Sequence, residues 1–142
     1  MKRIGIVFAL IIIFIWAVPS FAANVVQQGK DFIYVKLDGT NDFDWSTATF
    51  TTGKNAGLAV STVFPEGLAL SAVINSPPSA GAVLVIREGS LTGAIMPPRF
   101  RAIAGDSMVF YYDTSVFYKP CIEHDDQTTD TNNEVWFKYI NK

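Results

Sequence analysis

From Ala23 onward, Gly, Pro, Asn, Asp or Ser interrupts the chain every 8 to 12 residues, and this punctuation constrains the fold more than any other feature. Between the breaks stand β-branched and aromatic residues, with no apolar recurrence at helical spacing. The segments that read as strands are 32–37, 46–52, 57–64, 68–75, 82–88, 93–96, 100–103, 108–112, 116–123 and 134–140. Parallel neighbours need crossover connections of about a dozen residues or more, usually helical, so these strands must pair antiparallel. In 32–37, Ile33, Val35 and Leu37 share one face while Phe32, Tyr34 and Lys36 share the other. Residues 82–88 read as the central strand, because Val83, Leu84, Val85 and Ile86 are apolar on both faces. Pro65-Glu66-Gly67 reads as a tight reversal, and Pro77-Pro78 and Pro97-Pro98 read as strand breaks. Two sheets packed face to face bury these apolar faces most simply. The expected architecture is therefore all-β, an antiparallel two-sheet β-sandwich of jelly-roll or immunoglobulin-like type with about 8–10 short strands. A small β-barrel is the alternative.

The first 22 residues stand apart. Lys2 and Arg3 precede an unbroken apolar run from Ile4 to Val18, and Pro19-Ser20-Phe21-Ala22 then places small residues one and three positions before Ala23. A basic start, an apolar core and a small-residue cut make a cleaved secretory signal. The run is 15 residues, whereas spanning a bilayer takes about 20. The expectation is a leader over 1–22 and a single domain over 23–142, exported to the periplasm or the exterior, with no membrane span left after cleavage. Cleavage removes Lys2 and Arg3, so the net charge becomes −4 instead of −2. An acidic domain without a basic stripe is not built for nucleic acid or for anionic membrane surfaces.

Cys121 is the lone cysteine, so the chain forms no internal disulfide, and packing alone must hold it. Flanked by Tyr118, Pro120 and Ile122, it reads as a small buried apolar residue. A Cys121/His124 metal pair is disfavoured, because strand alternation points the two side chains to opposite faces.

Asp38-Gly39-Thr40-Asn41-Asp42-Phe43-Asp44 gathers Asp38, Asp42 and Asp44 in seven residues. Calcium takes six to eight oxygen ligands, and such runs supply several of them, although the spacing does not fit an EF-hand loop. The expectation is no bound cofactor, with calcium at this turn as the alternative. The aromatics beside this turn, Phe43 and Trp45, together with Trp136 near the C-terminus, are candidate stacking residues for a sugar. A carbohydrate-binding module, calcium-supported through the 38–45 segment, is thus one functional reading. The polar stretch Glu123–Glu134 between two predicted strands reads as a long exposed loop.

Catalysis has less behind it. Gly105-Asp106-Ser107 is similar to the serine block of GDSL-type hydrolases, which implies a triad of Ser107, His124 and Asp125 or Asp126. That family builds its site on a parallel α/β sheet, and this chain shows no helices to make one. No nucleotide-binding glycine loop and no haem-attachment motif occurs. The leading expectation is an exported, non-enzymatic domain with a structural or binding role. Its partner would be a protein or glycan surface, or a second copy through self-association.

Overall fold

The computed structural model describes residues 24–38, 41–76, 83–101, 107–124 and 133–141. The leader, Gly39-Thr40, Pro77-Pro78, Gly105-Asp106 and residues 125–132 of the polar stretch lie outside the described residues. Among the described residues, no helix is long and apolar enough to cross a membrane.

Among the described residues, eight strands form two antiparallel sheets, neither closed into a barrel: β1 (Val25–Gln28), β2 (Phe32–Lys36), β3 (Leu70–Ser76), β4 (Val83–Glu88), β5 (Ile95–Arg101), β6 (Met108–Tyr111), β7 (Pro120–His124) and β8 (Glu134–Tyr139). The first sheet runs β1-β2-β8-β3-β6 and the second β5-β4-β7. Ile33, Val35, Val73, Val135 and Phe137 of the first sheet share one buried cluster with Leu84, Ile86 and Ile122 of the second. That shared core is the sandwich interior the apolar alternation called for.

The strands at 32–37, 68–75, 82–88, 108–112 and 134–140 stand where the sequence places them, to within two residues at each end. The strand expected over 116–123 starts only at Pro120, and β1 was not anticipated. Two further expectations are corrected. Pro97-Pro98 does not end a strand: β5 runs through both prolines, and its register against β4 slips between Leu84 and Ile86, beside them. Proline lacks an N–H, but β5 is an edge strand with a bulge, and both settings tolerate it. Segments 46–52 and 57–64 are not strands either. They form turns, isolated bridges (Thr49 with Ala59, Gln27 with Thr52) and a single helical turn, α1 (Val60–Val63).

The segment between β2 and β3 closes one side of the sandwich. Phe43 exchanges backbone hydrogen bonds with Ile122 of β7 at 2.9 and 2.8 Å, and Thr51 donates to the Val26 carbonyl of β1 at 2.8 Å. The Val26 N–H in turn donates to Thr51 Oγ1. The outer edges of β1 and β7 are both contacted by this one excursion.

Candidate functional site

The solvent face of the five-stranded sheet follows from register alone. Tyr34 lies opposite Trp136, Trp136 opposite Ile74, and Ile74 opposite Val109. Because side chains alternate, these four residues project from the same face. An aromatic and aliphatic row therefore crosses four adjacent strands on the side where a half-exposed sheet normally turns polar. Flanking it, Phe32 faces Lys138, and Lys36 faces Glu134. The Tyr34 and Trp136 rings lie 5.1 Å apart at 45°, a tilted contact favourable for aromatic quadrupoles. Burial holds the Tyr34 phenol above its usual pKa, helped by the charge of Glu134 and a hydrogen bond to it.

A groove of about 450 Å³ opens on this face, lined by Asp31, Phe32, Ile74, Ser76, Ser107, Trp136 and Lys138. Its floor is aromatic and aliphatic. Its rim offers two hydroxyls, one carboxylate and one ammonium, so it can donate and accept hydrogen bonds without a net charge.

The residues singled out from sequence separate. Trp136, half-buried, belongs to the groove. Phe43 and Trp45 do not: each is only 1% exposed. Phe43 packs 6.0 Å from Phe137, and Trp45 lies 6.4 Å from Phe64. Neither ring presents a face to a sugar, because the excursion carrying them plugs the interior.

Of the three aspartates, Asp42 and Asp44 share a polar cleft of about 260 Å³ with Asn24, Thr47, Thr49 and Thr51, and Asp38 does not line it. Asp44 Oδ1 accepts the Ser46 N–H at 2.8 Å and its hydroxyl at 2.7 Å, an Asx turn that occupies that oxygen locally. Asn24 ties the segment down, accepting the Asp38 N–H at 3.0 Å and donating to the Asp42 carbonyl at 2.7 Å. Among the described residues, no three His, Cys, Asp or Glu side chains converge as a metal-ligand set.

Ser107 lines the groove beside the start of β6, while His124 ends β7 in the other sheet. Asp125 and Asp126 lie outside the described residues. Glu123, which opens the polar stretch, pairs with Arg87 at 2.5 Å across β4 and β7.

Cys121 is buried, and its sulfur accepts the Trp45 N–H at 3.3 Å. Desolvation pushes its thiol up to about 11 from the usual 9.0, outweighing the stabilising Trp45 hydrogen bond. A raised folded-state pKa stabilises the fold fully below pH 9, and that contribution is lost as pH rises towards 11. The expected result is an alkaline loss of about 2 kcal/mol between pH 9 and 11 that Cys121→Ala lacks. Denaturant midpoints of the two proteins across that range check it, and parallel curves would contradict it.

Comparison with protein-family models, with curated proteins and with solved structures found no match to this chain.

Proposed function

We propose that this chain is an exported, non-enzymatic binding domain of the periplasm or cell exterior that takes its ligand on the outer face of the five-stranded sheet. The observation that supports it is the row Tyr34–Trp136–Ile74–Val109, an apolar stripe on a solvent-facing surface. Contiguous exposed apolar surface carries a solubility cost, and it commonly marks a contact site.

Carbohydrate is the ligand class the groove favours. A sugar offers an apolar C–H face to stack on Trp136 and hydroxyls for Asp31, Ser76, Ser107 and Lys138, whose charges balance. Calcium support through Asp42 and Asp44 is a separate, optional element of this reading.

The test is a tryptophan-fluorescence titration of the purified protein with neutral glucose and N-acetylglucosamine hexasaccharides, run with calcium and with chelator. Saturable quenching is expected, and titration calorimetry, which needs no indole reporter, should show affinity weakened about tenfold or more in Trp136→Ala. A response unchanged in that variant, or none up to millimolar ligand, overturns the carbohydrate reading. Turnover of esters or glycosides that Ser107→Ala abolishes overturns the non-enzymatic one.

A further inference from the structure

The two sheets have four edges, and three are obstructed. Thr51 lies against β1 with backbone and side-chain bonds to Val26, and Thr52 bridges to Gln27. Phe43 bridges to β7. β5 carries Pro97 and Pro98, which have no N–H to offer. The fourth edge is β6, which pairs with β3 on one side and, among the described residues, with no strand on the other.

The hydrogen-bond parity of β6 follows from one contact. The Tyr112 N–H donates to the Ser71 carbonyl at 3.1 Å. Antiparallel ladders alternate, so residues 108 and 110 also direct their N–H and C=O towards β3. Those of Val109 and Tyr111 therefore point away from the sheet. Their side chains are 42% and 82% exposed, and the segment Ser107–Tyr112 contains no charged residue.

This edge is complementary to itself. Place a two-fold axis at Phe110 in the antiparallel sense, and Val109 of each copy falls opposite Tyr111 of the other. Each such pair exchanges two hydrogen bonds, so the contact contains four. The register keeps Val109 and Tyr111 on the outer face, where Tyr111 of the second copy covers the exposed end of the row Tyr34–Trp136–Ile74–Val109. Met108–Tyr112 carries no charge, so no like charges meet across the four hydrogen bonds. We propose that β6 pairs with β6 of a second copy about this axis, joining two five-stranded sheets into one of ten strands. The contact requires no ligand and stands independently of the carbohydrate reading. A seam this short falls below standard interface size, so dissociation at roughly 10–100 μM is expected.

Sedimentation velocity of the purified protein from 1 to 500 μM and thiol cross-linking test it together. A monomer–dimer equilibrium is expected. An equal mixture of Val109→Cys and Tyr111→Cys should oxidise mainly to the mixed dimer linking 109 to 111, since paired Cα atoms at about 5.5 Å suit a disulfide. The native Cys121 is buried and leaves that readout clean. Val109→Pro deletes an outward N–H that β3 does not use, and Val109→Lys places charge on the seam. Each should weaken dimerisation at least tenfold with the circular dichroism unchanged, and the lysine variant decides alone if the proline variant misfolds. A protein monomeric at 500 μM, cross-links favouring 109–109 or 111–111, or a dimer untouched by the folded variants overturns the proposal.

Discussion

Trp45→Ala is expected to cost about 4 kcal/mol of folding stability, the range for emptying a buried aromatic site. Small domains have only about 5–15 kcal/mol in total, so the variant should sit close to unfolding at 37 °C. Trp45 heads the largest fully buried side chains, and it stands where the β2–β3 excursion meets β7. Removing the ring opens a void beside Phe64, whose ring lies 6.4 Å from it. Trp45→Phe should cost much less, about 1–2 kcal/mol, because it keeps most of the ring volume. It also deletes the indole N–H, which is buried without a hydrogen-bond partner. Urea denaturation followed by far-ultraviolet circular dichroism measures both variants. A loss under about 1 kcal/mol for the alanine variant would show that the plug is not part of the core.

Gly67→Ala is the second large effect, expected at about 2–3 kcal/mol. Two causes act at once. Gly67 has φ +97°, where a side chain is strained. A Cβ there would also lie 2.5 Å from the Tyr118 carbonyl oxygen. That carbonyl cannot retreat, because it accepts the Leu68 N–H at 2.7 Å in a bridge joining the start of β3 to the β6–β7 connection. Gly57 separates the two causes: its φ is +83° and an added Cβ would meet nothing within 4 Å. Gly57→Ala should therefore cost only about 1 kcal/mol, the backbone part alone. Equal midpoint shifts for the two variants would mean that the Tyr118 contact is relieved at no cost.

Five of the strands were readable because local chemistry and burial agree there. In β2, Ile33 and Val35 alternate with Phe32 and Tyr34, and β4 is apolar on both faces from Val83 to Ile86 because it is central. The excursion over 46–64 misled because its apolar residues also alternate. What turned it into turns and α1 is its route across the gap between the sheets, a non-local fact. The same route decided the rings. Phe43 stands between Asp42 and Asp44 and Trp136 between Val135 and Phe137, yet Phe43 is core and Trp136 lines the groove. The groove itself had a signal in the chain: Phe32 and Tyr34 sit opposite a strand face already filled by Ile33, Val35 and Leu37. Two aromatics on a face the core does not need are surplus to folding. What the sequence could not supply was the order β2-β8-β3-β6, which lines them up with Trp136, Ile74 and Val109.

The obstructed edges have a consequence for how far assembly can go. Edge-to-edge growth into a filament requires two open edges on every molecule, one to accept a neighbour and one to offer to the next. With β1, β5 and β7 obstructed, β6 is the one open edge among the described residues, which gives each molecule a valency of one. A pair joined at β6 has spent both of its free edges, so raising the concentration fills pairs and does not lengthen chains.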